Sequence, residues 1–505
     1  MKRVPGPQDT IRRDMLLIFS FGVALRLLLL WLFPAPYGND SIGRLYFRDS
    51  LFLAHWLPLT QALVYLPALL SRSIVPIRLL FAVLGSLAAC GFYLLLRRCC
   101  TPAFARLGGL LFAANALFVI LSLMPYQDVL FLGLFYAALA LLFQPQHMLR
   151  SRTGGLLYGL ACLTRYEAWF ALPLLVLWKS RPPATGARVG VVSKNFFAAA
   201  LFFGWAPGLW LLLSQVHWGE WHGFLFQTAD RTFYAWQPHF ELGWAVRYAG
   251  RMLYWLGLFG SPLLLFALPG MRALWQKPKF RPPVLKLLCA WAALVLIFFF
   301  FIIGREFETV NRFAAIPLSL ALLLTVIGMQ ATVANLRQRR DCWARGLTPC
   351  GAHVVTALLL AGLTLYAAIP MARLHANPEF RVPYEIARFL DGVLSSGEKA
   401  LVVAERFHHL QDAAPMAYQR IAAQSQYHRE KILCAGLLTR AQRRELLDYV
   451  RRQQVRYLVL FTNFQPWLPA DVFFTEFVRA EPQRCRPVLR LAQATVYEVT
   501  HWPES

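Results

Sequence analysis

The residues able to do chemistry in this chain are carboxylates and arginines placed beside apolar runs. Asp40 follows a Gly38-Asn39 turn signal and precedes Arg44 and Arg48, so a helix would set all three on one face. A carboxylate there can take a proton from a hydroxyl as a general base, or it can cap the following helix, as can Ser41. Arg44 and Arg48 can hold a phosphate by charge-assisted hydrogen bonds, or snorkel to lipid headgroups. Asp128, in MPYQDV, opens an apolar run. It is either a second acid/base candidate or a carboxylate drawn to a helix N-terminus. Arg165 and Glu167 lie in LTRYEAW, and Arg312 in GREFETVNRF with Arg305, Glu306 and Glu308. Arg165 and Arg312 can reach an anion, while Glu167 can be a substrate contact or simply the partner of Arg165. His222 and His239 share the aromatic loop 215–245 with His217, Glu220 and Glu241. They can line a substrate cradle or belong to an interfacial aromatic belt. Their spacing makes no metal motif. The sequence calls for no cofactor and leaves room for a divalent cation.

The elements that must position these residues are membrane helices. The chain has 505 residues, of which 58% are hydrophobic, and a mean hydropathy of +0.46. That composition belongs to a polytopic membrane protein, not a soluble enzyme. The net charge of +25 is not a nucleic-acid signature, because Lys and Arg sit in short loops between apolar runs. The basic N-terminus leads into an apolar run without a small-residue cleavage site, which predicts a retained first helix. Apolar runs at 15–33, 78–96, 107–124, 128–143, 154–165, 167–178, 195–214, 246–268, 285–303, 312–330 and 352–370 predict about eleven spans. The 154–178 pair can equally be one bent helix.

Residues 34–78 form the first outer loop, with an interfacial helix after Asp40 running past Leu51, and a short apolar segment 56–70 that does not cross. With the N-terminus cytoplasmic, the inner segments hold roughly twice the Lys and Arg of the outer ones. The unusual polar residues then fall on the outer side, under the membrane surface. The domains expected are a membrane domain 1–370 and an extracytoplasmic domain 371–505. The latter carries strands at 399–405 and 455–461, a helix near 439–453 and a strand or hairpin at 489–500, a small α/β unit. Cys434 and Cys485 fall in it, either bridged or as two buried thiols.

These motifs, in this order, resemble the GT-C class of membrane glycosyltransferases. The branch closest in pattern is the bacterial one that includes lipid A aminoarabinose transferases and protein O-mannosyltransferases. The matching features are Asp40 early in the first outer loop, WLPL (56–59) leading into VPIRLL, and Asp128 between two runs. LTRYEAW, RFAAIPL (312–318) and the outer C-terminal domain complete the pattern. Many relatives carry Asp-Glu where this chain has Asn39-Asp40-Ser41, so the catalytic assignment rests on one carboxylate. The resemblance implies an inner-membrane enzyme that takes a sugar from a polyprenyl- or dolichyl-phosphate donor. The acceptor would be a glycan, lipid or protein on the outer face. A transporter or flippase is the alternative from another class; it would use the same charges as a path, but no internal repeat is visible.

Overall fold

The computed structural model describes residues 7–53, 56–143, 148–180, 189–219, 221, 242–260, 262–276, 283–301, 314–338, 349–403, 416–435, 443–461 and 469–503. It divides into two compact units. One comprises Met1–Leu29, Phe52–Ala62 and Leu80–Ile369, the other Leu30–Leu51, Leu63–Leu79 and Pro370–Ser505.

Helices α1 (Pro7–Leu32), α2 (Asn39–Tyr46), α3 (Pro58–Leu70) and α4 (Val75–Leu96) open the chain. Helices α5 (Pro102–Ala114), α6 (Ala116–Ser122), α7 (Gln127–Leu142) and α8 (Met148–Cys162) follow. A 3-10 turn at Tyr166–Ala171 leads into α9 (Leu172–Lys179) and α10 (Val189–Trp218). The remaining membrane-domain helices are α11 (Leu242–Gly260), α12 (Ala267–Gln276), α13 (Pro283–Phe301), α14 (Ala315–Gln338) and α15 (Pro349–Ala376).

Each predicted apolar run falls on helix where it is described, but not each is long enough to cross alone. Among the described residues four helices are long and apolar enough, within α1, α4, α10 and α14. The number rises to six if each bent pair, α5 with α6 and α11 with α12, is one span. At 13 residues, α3 reaches only about 20 Å at 1.5 Å per residue, short of a roughly 30 Å hydrocarbon core.

The first unit is packed through small residues and satisfied polar groups. A Cβ on Gly91 of α4 would lie 2.4 Å from the Gly133 carbonyl oxygen of α7, and one on Gly133 would lie 2.5 Å from Ala88 Cα. The two backbones meet where only glycine fits, as at helix crossings in lipid. The bend of 58° between α5 and α6 falls at Asn115. Its side-chain oxygen accepts from the Leu117 and Phe118 amides, and its amide donates to Phe259 O at 2.8 Å. Arg26, fully buried, donates to Ser122 Oγ at 2.7 Å and to the Ala113 and Gly22 carbonyls at 3.1 Å each. It faces the bundle interior, where these groups accept from its Nε and Nη1.

In the second unit, α16 (Pro378–Val393) is capped by Asn377, whose side chain accepts from Glu379 N. Then come β1 (Lys399–Val403), α17 (Met416–Gln424), α18 (His428–Lys431), β2 (Ile432–Cys434), α19 (Arg443–Arg452), β3 (Val455–Phe461), α20 (Pro469–Ala480), β4 (Cys485–Arg490) and β5 (Ala494–Val499). The sheet order is β2-β1-β3-β5-β4. The first three strands are parallel, with Leu401 opposite Leu458, and β5 and β4 add an antiparallel hairpin. Leu401, Val403 and Leu458 pack with Leu446, Val450, Phe474 and Phe477 in one core. Ala400, Val402 and Val459 are also fully buried. A central pair buried on both faces explains the near-continuous apolar runs of β1 and β3.

Cys434 and Cys485 are both buried thiols, not bridged to one another. They sit on the two edge strands, about 19 Å apart across four strand spacings, far beyond the ~7 Å Cα limit for a bridge.

Candidate functional site

Asp40 stands in the first turn of α2, which begins at Asn39 with no side-chain cap. Asp40 therefore lies inside the first turn, not at the N-cap position, which Gly38 occupies. The helix starts instead from Gly38, whose φ of 82° only glycine adopts cheaply. Ser41 Oγ donates to Tyr37 O at 2.6 Å and Gly38 O at 2.8 Å. Asp40 is half-buried, whereas Arg44, one turn along on the same face, is buried at 2% exposure.

Arg48 does not continue that face. The helix ends at Tyr46 with Phe47 as its C-cap, so the predicted interfacial helix past Leu51 is cut short. Arg48 turns to donate to Ala423 O and Ser425 O, both at 3.3 Å. Beside it, a His428 ring nitrogen donates to Tyr46 O at 2.9 Å, and Arg429 pairs with Asp49 and lies over the Tyr46 ring at 5.1 Å. Burial lowers the Arg48 guanidinium from its usual value. Burial, together with the nearby Arg48 and Arg429 charges, pulls His428 down to about 4. Its imidazole is therefore neutral at pH 7 with the proton on the nitrogen facing Tyr46 O. Asp391 is raised by burial, against hydrogen bonds from Ser425 and Gln426. None of His428, Arg429, Ser425 or Asp391 stood out in the sequence, since each meets its partner from a distant segment.

Asp128, Arg165 and Glu167 come together in the first unit. Arg165 Nε donates to Glu167 Oε2 at 2.9 Å, Nη2 to Glu167 Oε1, and Nη1 to Asp128 Oδ1. All three are buried, at 5%, 7% and 2% exposure for Arg165, Glu167 and Asp128. The 3-10 break between α8 and α9 makes this possible. Arg165 is extended there, with φ −146° and ψ 143°, which frees it from the helix. Side chains satisfy the carbonyls of the break: Trp291 Nε1 donates to Glu167 O at 2.8 Å, Tyr158 to Ala168 O and Trp169 to Cys162 O, both at 2.9 Å. Irregular backbone at membrane depth needs such partners. Leu59 N, in the first turn of α3, donates to Leu163 O at 3.0 Å. Two carboxylates on one guanidinium form a braced ion cluster, with Glu167 the bidentate partner of Arg165.

Arg312, His222 and His239 lie outside the described residues, as do Arg305, Glu306, Glu308, Glu220 and Glu241. Among the described residues, no group of three or more His, Cys, Asp or Glu is placed to hold a metal ion.

No family model and no curated protein matches the chain. Solved structures do. ArnT from Cupriavidus metallidurans bound to undecaprenyl phosphate superposes with a TM-score of 0.56 at 16% identity, covering 95% of this chain and 97% of that one. The same protein in its apo state gives 0.54 at 15% identity, with the same coverage. ArnT is an aminoarabinose transferase of the GT-C type. The chain shares that fold over 95% of its length.

Proposed function

We propose that the chain is an integral membrane glycosyltransferase. It moves a sugar from a polyprenyl-phosphate donor to a hydroxyl acceptor on the outer face, inverting the anomeric carbon. The observation that carries this reading is the likeness to a transferase solved with undecaprenyl phosphate, over nearly the whole of both chains. The placement of Asp40 supports the catalytic assignment.

Of the two candidate bases, Asp40 is half-buried in a first helical turn, while Asp128 has an oxygen engaged by Arg165. A base must be reached by the acceptor hydroxyl, which suits the half-buried Asp40 better than Asp128, buried at 2% exposure beside Arg165. In the proposed step Asp40 takes the acceptor proton and the acceptor oxygen bonds to the anomeric carbon from the far side. The bond from that carbon to the phosphate oxygen breaks, and its electron pair leaves with the lipid phosphate. Arg44, one turn from Asp40, offsets the charge that develops there. Arg165 is held by two carboxylates, so the cluster serves architecture before phosphate capture; Arg312 keeps its proposed phosphate role. About eleven helices, an outer C-terminal domain, a membrane-lining α3 that does not cross and no required cofactor complete the reading. Nothing in the fold favours the transporter alternative.

Lipid that co-purifies with the full chain, identified by mass spectrometry, tests the donor. A polyprenyl phosphate or its glycoside is expected, and phospholipid alone would overturn it. Transfer by Asp40→Asn and Asp128→Asn, with native membrane extract supplying donor and acceptor, tests the base.

A further inference from the structure

Helix α2 has eight residues, too few to be stable by itself, and its last carbonyls have no partner within the helix. The same holds for α17, which ends at Gln424. Across their junction the two ends satisfy one another. His428, just past α17, donates to Tyr46 O at the end of α2. Arg48, just past α2, donates to Ala423 O and Ser425 O at the end of α17. Each helix is thus capped by a side chain that follows the other. Further contacts close the junction. Arg429 pairs with Asp49 and covers the Tyr46 ring, Tyr46 meets Tyr418 edge-on at 5.9 Å, and Arg72 pairs with Glu430 at 3.0 Å. Seating a cation on helix C-terminal carbonyls is also favourable to the helix dipole.

We infer that Arg48 and His428 are positioning residues: their reciprocal capping of α2 and α17 fixes the helix that carries Asp40. The inference rests on the reading of Asp40 as the base. It assigns to the C-terminal segment a part in the reaction, that of holding the first loop in its working pose. Arg48 thereby leaves the phosphate-binding set, since its guanidinium is spent on carbonyls.

The test is hydrogen–deuterium exchange on the full chain in detergent, with Arg48→Ala and His428→Phe. The first strips both caps from α17. The second strips the cap from Tyr46 while keeping an aromatic ring. Amides in 39–49 and 416–428 should exchange about ten- to a hundredfold faster, the order expected for losing a hydrogen bond to a charged group or a cap. Amides in α7 should not change. On the same preparations, transfer from native membrane extract should fall in kcat while retention of co-purified lipid stays normal, and Arg48→Lys should restore part of both. Unchanged exchange in 39–49 overturns the inference. So does faster exchange with kcat intact, because α2 would then be held for no catalytic purpose. Full activity of Asp40→Asn is a separate result: it removes the base itself, whatever the exchange at the junction shows.

Discussion

At the scale of single residues, two carboxylates that look alike in the sequence occupy different settings. Asp40→Asn should fold, keep its lipid and lose transfer by about 10²–10⁴, the usual worth of a general base. Turnover near the wild-type rate would transfer the role elsewhere. Asp128 belongs to the Arg165 cluster, where removing one partner leaves buried charge uncompensated. Arg165→Ala should therefore cost about 3–5 kcal/mol, seen as a large drop in thermal stability in detergent before any change in donor retention is measured. An Arg165→Ala variant of unaltered stability would show that the cluster is not a brace. LTRYEAW flagged both Arg165 and Glu167, and their pairing was one of the readings open from their adjacency. That Asp128 joins them was not legible, because α7 and the α8–α9 break meet only when the helices pack.

At the scale of elements, α2 is pinned at both ends, by Gly38 at its start and by His428 and Arg48 at its finish. A side chain at Gly38 must adopt the left-handed backbone, at about 1–3 kcal/mol, so Gly38→Ala should lower the midpoint of thermal unfolding and loosen α2. His428 gives the junction a pH dependence. Its folded pKa, about 4, lies below the ordinary ~6.5 of the unfolded chain. Between those values the unfolded state binds more protons. The contribution of neutral His428 is thus fully present above about pH 6.5 and is lost as the pH falls toward 4. The charges facing the ring are Arg48, Arg429 and Asp49, and Tyr46 lies against it. His428→Gln keeps an N–H donor without the titration, so its melting temperature should fall less between pH 7 and pH 4.5 than that of the wild type. Much of this architecture was readable. The run 455–461 is strand β3 to the residue, and 399–405 contains β1. The stop at Tyr46 and the three-residue strand β2 were not, since both depend on partners far along the chain and not on local pattern.

At the scale of the whole molecule, the expected sidedness can be read chemically. Cysteine placed at Ser73 or Ser396, both exposed, should react with an impermeant maleimide in intact cells, while one at Thr101, also exposed, should not. Ser41 is buried and would be a poor reporter. Labelling of Thr101 alone would invert the orientation. The fold class was legible from composition and the order of motifs. The bends at Asn115 and between Gly260 and Pro262 were not, because each falls inside a single apolar run. Finally, the second unit gathers Leu30–Leu51, Leu63–Leu79 and Pro370–Ser505, segments synthesised far apart in time. At roughly 5–20 residues per second, the ribosome needs about fifteen to sixty seconds to travel from Leu79 to Pro370. For that interval the nascent α2 has neither Arg48's carbonyls nor His428 to hold it. The loop that bears the proposed base thus leaves the ribosome long before it can settle, and a chain truncated near residue 370 leaves the tunnel with its Asp40 helix uncapped for good.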